Sequence, residues 1–247
     1  MLIALIDADI MTYAIPFSLQ EGKGEEAKLA DEAEKFLGIR IDQFIDNIMK
    51  ETQADDYKVY INGKDNFRLR YPTYKANRSS MQKPLLHYAA RDYLVDKHCA
   101  HIVDCMETDD RLAIDQTEAL ENDFGYETVI CSIDKDLLQV PGKHYRWPIS
   151  HAKEPKPEHL LVSVNQGLVS LYKQALTGDT VDNIIGLKGY GAKKAEKLIT
   201  EEMSEKEMYE TCLEHYLLKE RTEQDLIDNM HQLYMLRSED DEWKRPN

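Results

Sequence analysis

The sequence predicts an α/β fold in which a mostly parallel central sheet is flanked by helices and followed by a helical region. Two observations predict it. Short apolar runs alternate with segments of helical spacing through the first half of the chain, and from about Leu160 onward only helical patterns follow. With 247 residues, the chain is long enough for a core with a small helical subdomain. We predict an α/β core over residues 1–160 and a helical region over residues 161–247.

Five short segments are predicted as strands. The first is an uninterrupted apolar run that ends at Asp7, which is typical of a buried strand. The others are short runs that contain β-branched and aromatic residues. The predicted strands are Leu2–Ile6, Tyr57–Ile61, His101–Val103, Thr128–Ile133 and His144–Trp147.

Helical spacing is clearest after the first strand, where Ile41, Phe44, Ile45 and Ile48 recur on one face. The charged stretch Glu21–Glu34 before it is expected to be either a surface loop or the exposed first part of that helix. The predicted helices are Gly38–Met49, Pro84–Lys97, Asp109–Asn122, Ser163–Leu176, Ala192–Ile199 and a segment from Ser204 onward. Ser150–Pro157 is rich in proline and lysine and is expected to be a linker.

Oxygen-bearing side chains follow one predicted strand after another. Ligands in an open α/β sheet bind outside the carboxyl ends of the strands, so we expect these side chains to share one crevice. Each aspartate alone is explained equally well as a helix cap or turn residue. Together they would repel one another unless divalent cations, for which Mg²⁺ or Mn²⁺ suit carboxylate oxygens, relieved the repulsion. The residues are Asp7, Asp9, Asn62, Glu107, Asp109, Asp110, Asp134 and Asp136, with Asp179 and Asp182 added from the helical part.

The net charge of −15 argues against nucleic acid as a partner, but the charge is unevenly distributed. Lys64–Lys97 has eight bases against three acids, and Gly186–Lys197 has four lysines against one glutamate. Thr200–Glu242, in contrast, has fourteen acids and four bases. We interpret the two basic segments as surfaces for a nucleic-acid backbone; two ordinary solvated faces are the alternative.

Five motifs in order resemble those of the 5′-nuclease family, which includes flap endonucleases, the 5′-nuclease domain of bacterial DNA polymerase I and small phage 5′–3′ exonucleases. Each motif is weak alone, but their order and spacing are typical of the family. One departure is Asn62, because the family usually has an aspartate after the second strand. The motifs are Leu5-Ile6-Asp7; Phe67-Arg68 with Tyr74-Lys75-Ala76-Asn77-Arg78; Glu107-Thr108-Asp109-Asp110; Asp134-Lys135-Asp136-Leu137-Leu138; and Gly178-Asp179 to Asp182-Asn183 with Gly186 to Ala195.

The resemblance implies a PIN-like nuclease core with a helix–three-turn–helix motif near residues 176–199 and two divalent cations. It places the first cation at Asp7, Glu107, Asp109 and Asp110, and the second at Asp134, Asp136, Asp179 and Asp182. Lys75 and Arg78 would act on the scissile phosphate at the base of a basic arch or clamp over residues 64–97. The DNA-binding residues it implies are Arg68, Tyr74, Lys83, Gly186, Gly189, Gly191, Lys193 and Lys194, with a K⁺ ion at the glycine-containing loop.

The resemblance implies a Mg²⁺- or Mn²⁺-dependent nuclease that cuts DNA near free 5′ ends, as a 5′–3′ exonuclease and as a flap endonuclease. RNA primers in hybrids are a further substrate that it implies. Two alternatives are a DNA-junction binding protein with little catalysis and an RNA-cutting relative of the same superfold. Asn62 would weaken the first metal site, and Asn62→Asp is then expected to lower the Mg²⁺ concentration required.

No apolar run reaches the roughly 20 residues of a membrane span, and the apolar start at Met1 lacks a basic leader, so we expect a cytoplasmic protein of a bacterial or phage-infected cell. The acidic C-terminal segment is expected either to pack under the core or to contact a replication partner. The four cysteines form no C-x-x-C pair and are expected to be small buried apolar residues: Cys99, Cys105, Cys131 and Cys212.

Overall fold

The computed structural model describes residues 1–22, 24–78, 82–122, 124–148 and 155–247. A six-stranded sheet lies at its centre. The strands are β1 (Leu2–Asp7), β2 (Gln20–Glu21), β3 (Lys28–Leu29), β4 (Asp56–Asn66), β5 (His101–Cys105), β6 (Glu127–Cys131), β7 (Gly142–Arg146), β8 (Glu158–Val162), β9 (Gly178–Asp179) and β10 (Ile184–Ile185).

The central sheet has the order β5-β4-β1-β6-β7-β8, and every neighbouring pair is parallel except β7 and β8. Two small antiparallel pairs, β2 with β3 and β9 with β10, lie outside it. Strand β1 lies inside the sheet, and its residues Ala4–Ile6 are fully buried. Its last residue, Asp7, therefore lies at the middle of the edge where the carboxyl ends of the parallel strands meet.

Helices cover both faces of the sheet. The α-helices are α1 (Asp9–Ser18), α2 (Ala33–Thr52), α3 (His87–His98), α4 (Thr108–Glu121), α5 (Val164–Thr177), α6 (Ala192–Leu198), α7 (Glu205–Leu217) and α8 (Glu223–Leu233). One core layer packs α1, α2 and α3 against the sheet, and a second packs α4 with Met235 against its other face. A third apolar cluster joins α5, α7 and α8 and takes in Tyr74 from the basic segment.

The predicted fold class is confirmed, and the predicted strands and helices recur with shifted ends. Among the α-helices and the strands of the central sheet, two elements were missed, and the short strands of the two small pairs were not predicted either. Helix α1 contains Pro16 and has no side-chain cap, so no helix signal marks it. Strand β8 is an antiparallel edge strand whose side chains are largely exposed, so its sequence lacks the apolar run of a buried strand. The division at residue 160 stays a prediction.

Other expectations need correction. Glu21–Glu34 is neither a plain loop nor only helix: it contains part of the β2–β3 pair, a short 3₁₀ turn and the start of α2. Strand β4 continues to Asn66, so Asn62 lies inside it. Cys131 and Cys212 are buried as expected, but Cys99 and Cys105 are exposed. Most of the predicted linker Ser150–Pro157 lies outside the described residues, as do residues 79–81 of the predicted arch.

Within the described ranges, the chain has no helix that combines the length and the apolar composition required to cross a membrane.

Candidate functional site

A cavity of about 640 Å³ opens at the carboxyl edge of β1, β4 and β6. It brings together residues from α1, α3, α4, the loop after β6 and the loop after β9. Five of the eight predicted metal ligands line it, as do Lys75, Arg78 and Lys83. The acidic lining residues are Asp7, Asp9, Asp109, Asp134, Asp136 and Asp182.

Burial and neighbouring carboxylates raise the pKa values of three carboxylates on the cavity floor. Burial, followed by the charges of Asp9 and Asp134, raises the pKa of Asp7 to about 7. Burial and the charges of Asp134 and Asp179 likewise raise the pKa of Asp136 to about 7. The pKa of Asp109 is also raised, by burial and by Asp7 and Asp134. These groups are held together without enough positive charge, which is the condition that a bound cation relieves.

A second set of carboxylates has cationic partners. Lys75 Nζ donates to Glu107 Oε1 at 2.6 Å and lies 3.6 Å from Asp182 Oδ2. Arg78 Nη2 donates to Asp182 Oδ1 at 2.5 Å. Although burial opposes the shift, Lys75 and Arg68 lower the pKa of Glu107, which therefore stays ionised. The two predicted catalytic cations thus lie against carboxylates on the rim of the acidic floor.

The structure corrects the role predicted for Tyr74. Its side chain is 5% exposed and belongs to the apolar cluster of the helical region. Its hydroxyl lies 2.8 Å from Glu107 Oε2 and 3.0 Å from Asp182 Oδ2. Tyr74 therefore holds the backbone of Lys75 against the site and has no free face on which a base could stack.

Arg68 and Asp110 also need correction, because both are buried away from the cavity, at 1% and 0% exposure. The Arg68 guanidinium donates to both oxygens of Asp110, at 2.5 and 2.8 Å. It also donates to the carbonyl oxygens of Gln232 and Tyr234, so Arg68 has no surface to offer DNA. Asp110 accepts in addition from the backbone of Glu107 and Leu236, so its oxygens are not available to an ion.

Asp179 is also enclosed, although it lies near Asp136. Its Oδ1 accepts from the backbone N–H groups of Val181 and Asp182, at 2.7 and 3.1 Å. Its Oδ2 accepts from Lys135 Nζ at 3.1 Å and from Gln174 Nε2 at 3.3 Å. Burial opposes these contacts, but they lower the pKa of Asp179.

At the α1 side of the floor lies Asp9, which the sequence places in the crevice but to which it assigns no role. Asp9 accepts hydrogen bonds from the backbone and the amide nitrogen of Asn62, and Thr108 Oγ1 lies 3.4 Å from it. Asn62 Oδ1 accepts from the Thr108 N–H at 2.8 Å, and Arg91 Nη2 donates to the Asn62 carbonyl oxygen at 2.7 Å. The Asn62 side chain is thus used to fix Asp9 and the start of α4. The position of Asp9, two residues after the first strand, was the sequence signal for it.

The predicted glycine-containing loop lies between β10 and α6. Gly186 packs so closely that a Cβ atom would collide with the backbone of Thr177 and Gly178. Gly189 has a φ of 85°, which favours glycine, whereas Gly191 is in an extended conformation that other residues adopt. Lys193 and Lys194 follow on the exposed side of α6, where Lys194 Nζ lies 3.3 Å from the centre of the Tyr190 ring.

Among the residues described, no three His, Cys, Asp or Glu side chains converge closely enough to coordinate one ion. The acidic floor supplies the right donor atoms, but coordination requires its side chains to turn toward a common point.

Three comparisons with known proteins found chains of similar sequence and structures of similar fold. A family model described as "5′–3′ exonuclease, N-terminal resolvase-like domain" matches residues 3–164. DNA polymerase I of Caldicellulosiruptor bescii is 32% identical over 184 residues, which are 68% of this chain and 21% of that polymerase. Flap endonuclease Xni of Shewanella baltica is 29% identical over 138 residues, which are 52% of this chain and 50% of that protein. The chain thus spans about a fifth of the polymerase and half of the flap endonuclease.

Solved structures share the fold. The bacteriophage T5 5′-exonuclease with bound zinc ions superposes with a TM-score of 0.64 at 18% identity, covering 94% of this chain and 89% of that chain. The T5 flap endonuclease in a pseudo-enzyme–product complex with DNA and metal ions gives a TM-score of 0.65 at 18% identity, with the same coverage. At these identities the likeness shows the fold alone.

Proposed function

Since the chain belongs to the 5′–3′ exonuclease N-terminal domain family, we propose that it is a divalent-metal-dependent 5′ nuclease. It hydrolyses DNA phosphodiesters near free 5′ ends, as an exonuclease and as a flap endonuclease. The observation that carries the proposal is the acidic floor of Asp7, Asp109, Asp134 and Asp136, which faces Lys75 and Arg78 across one cavity.

The donor set fits hard divalent cations such as Mg²⁺ or Mn²⁺, because it consists of carboxylates. Burial, followed by the charges of neighbouring carboxylates, raises the pKa values of Asp7, Asp109 and Asp136. When bound, such ions lower the pKa of water and neutralise the charge of a transferring phosphate. Asp7 and Asp109 would hold a first ion, and Asp134 and Asp136 a second, with Glu107, Asp179 and Asp182 beside them. That structural neighbours carry zinc and other metal ions supports a requirement for divalent metal.

Lys75 and Arg78 would bind and orient the phosphate at the cavity. Lys75 is held by Glu107 and Tyr74, and Arg78 by Asp182 and the carbonyl oxygen of Val181. A guanidinium matches two phosphate oxygens at once, while an ammonium supplies a compact charge. Their partners hold both groups in place before substrate arrives, which reduces the ordering cost of binding.

The basic loop would hold the duplex by its phosphates rather than by its bases. Gly186, Gly189 and Gly191 shape the loop, Lys193 and Lys194 lie exposed beside it, and Lys83 lies at the cavity rim. A K⁺ ion at this loop, a helical region from residue 161, and binding to a replication partner are parts of the same proposal.

The test is cleavage of a 5′-labelled flap duplex with and without Mg²⁺. We expect cutting near the junction that requires the metal and disappears in Asp134→Ala/Asp136→Ala. The matched control is Asp46→Ala/Asp240→Ala, which removes the same charge from two exposed positions outside the cavity.

Binding of the flap without cutting in either Mg²⁺ or Mn²⁺ would overturn the proposal and favour a junction-binding protein. Cutting of single-stranded RNA that needs neither a 5′ end nor a duplex junction would instead favour an RNA-cutting relative.

A further inference from the structure

The cavity has a second wall that the proposed chemistry does not use. It is formed by α1 from Ile10 onward, by Lys83 and by the first half of α3, and it carries apolar and basic side chains. The carboxylate of Asp9, the first residue of α1, lies at its border with the acidic floor. We propose that this wall is a subsite for the 5′-terminal nucleotide of the substrate and that Arg91 and Lys83 bind its 5′-phosphate. The inference rests on the proposed nuclease function and names its preferred substrate, a 5′-phosphorylated strand end. The residues of the wall are Ile10, Tyr13, Ala14, Phe17, Lys83, His87 and Arg91.

The position of Arg91 is the first support. Its guanidinium is held at the edge of the acidic floor by one hydrogen bond, from Nη2 to the Asn62 carbonyl oxygen at 2.7 Å. Within the described residues no other hydrogen bond to this side chain is made, although a guanidinium has five N–H donors. Its side chain is 20% exposed and lines the cavity. Arg91 is therefore anchored while most of its donors can still bind a phosphate.

The acid nearest to Arg91 does not neutralise it fully. Asp9 Oδ1 lies 3.8 Å from Arg91 Nη1, beyond hydrogen-bond distance. Asp9 already accepts from the backbone and amide nitrogens of Asn62. A dianionic phosphate would form shorter, charge-assisted hydrogen bonds with the free side of the guanidinium.

Lys83 supplies a second cation at the rim. Its Nζ lies 3.3 Å from the Tyr88 hydroxyl and 4.8 Å from the centre of the Tyr88 ring. Lys83 is exposed and lines the same cavity as Arg91. His87 adds no charge, because burial lowers its pKa. Its Nδ1 lies 3.1 Å from the Thr12 carbonyl oxygen, and this contact ties α3 to α1.

The apolar part of the wall provides room for the sugar and base. Ile10, Ala14 and Phe17 lie along one side of α1, and Phe17 is 39% exposed. The cavity volume of about 640 Å³ lies within the range of sites for small ligands and exceeds the need of a single phosphate group. A wall that pairs apolar surface with cations is suited to a nucleotide and less suited to a metal ion or a bare anion.

The first experiment measures binding without cleavage. Thymidine 5′-monophosphate, thymidine 3′-monophosphate and thymidine are titrated calorimetrically into the full chain in Ca²⁺. We expect the 5′-monophosphate to bind at least about tenfold more tightly than the other two, which corresponds to one or two charge-assisted hydrogen bonds. Arg91→Gln should abolish this difference, and the exposed Lys83→Gln should reduce it without affecting folding. Arg221→Gln, an arginine of the helical region that pairs with Asp225, is the matched control and should retain it.

Equal affinities for the two monophosphates, or a preference that survives both Arg91→Gln and Lys83→Gln, would overturn the subsite. Cleavage provides the second readout. Wild-type protein should cut a 5′-phosphorylated end with a lower KM than a 5′-hydroxyl end, and Arg91→Gln should remove the difference in KM. If the wild type cuts nothing yet binds the 5′-monophosphate selectively, the nuclease proposal fails and the nucleotide subsite stands. If it cuts both ends equally, the nuclease proposal stands and the subsite fails.

Discussion

Asp109 and Asp110 are neighbours in the sequence, yet they belong to two regions with opposite electrostatics. Asp109 belongs to the acidic floor, where burial and the charges of other carboxylates raise its pKa. Asp110 lies in what we call the seam, the buried contact of Arg68 and Asp110 with residues 232–237 of the C-terminal tail. In the seam the negative charge of Asp110 is paired with the positive charge of Arg68, whereas in the floor negatively charged carboxylates lie close to one another.

The difference shows that two adjacent residues of one motif have separate roles: Asp109 lines the cavity and Asp110 forms a buried ion pair. Because α4 begins at Thr108, consecutive residues in its first turn point in different directions, about 100° apart. One direction meets the cavity and the other meets the fully buried guanidinium of Arg68. Both oxygens of Asp110 accept hydrogen bonds in the seam, and these bonds fix the first turn of α4. The neighbouring Asp109 is thereby kept close to other carboxylates that repel it.

The largest expected effect is the loss of cleavage activity when Asp109, rather than Asp110, is changed. Asp109→Asn should reduce flap cleavage by at least about 100-fold, the order expected when a metal site loses a carboxylate. The stability of the metal-free protein should stay equal or rise, because the variant removes a charge that its neighbours oppose. Cleavage rates and urea unfolding of the same preparation check both. A variant with near-normal cleavage would remove Asp109 from the proposed metal site.

The next effect concerns stability. Asp110→Asn leaves the Arg68 guanidinium buried without its full charge partner and should cost about 3 to 5 kcal/mol in the free energy of unfolding. Arg68→Met should cost a similar amount, since it strands Asp110. The double variant Arg68→Met/Asp110→Leu should lose much less than the sum, because no buried charge remains. Additive losses in urea unfolding would show that the two residues do not act as a pair.

The sequence predicted the sheet and the convergence of carboxylates because both follow from local signals: apolar runs mark the strands, and the carboxyl ends of parallel strands meet at one edge. It failed on Arg68, Asp110 and Tyr74. Their partners come from residues far along the chain, such as Gln232 for Arg68, and a motif does not show whether a charged side chain turns toward solvent or toward such a partner. The same limit hid the role that we propose for Arg91, because that role depends on the contact of α3 with Asn62.

The third prediction concerns Asn62, which lies beside the acidic floor and is hydrogen-bonded to Asp9 and to the first residue of α4. Its amide nitrogen donates to Asp9, so Asn62→Asp would set one carboxylate against another. The metal-free variant should lose about 1 to 3 kcal/mol of stability, and Mg²⁺ should raise its Tm by more than it raises that of the wild type. The Mg²⁺ concentration for half-maximal cleavage should fall, because an added carboxylate strengthens a metal site that an amide leaves weak. Asn165→Asp, at an exposed position in the first turn of α5, is the matched control. An equal thermal shift in variant and wild type would show that this position does not contribute to the metal site.

The smallest expected effect lies on the same C-terminal tail, in the exposed pair of Arg70 and Glu242. Their atoms are 2.6 Å apart, nearly as close as those of the seam, but each side chain is about half exposed, at 49% and 50%. Glu242→Gln should therefore cost less than about 1 kcal/mol, because solvent screens the pair. The hydrogen bond from Arg70 lowers the pKa of Glu242, so its contribution is present above the ordinary value of 4.5 and disappears as the pH falls below it. Urea unfolding at pH 7 and pH 3 measures this difference. If Glu242→Gln cost as much as Asp110→Asn, distance rather than burial would decide the strength of the tail's ion pairs, and the contrast between seam and surface would fail.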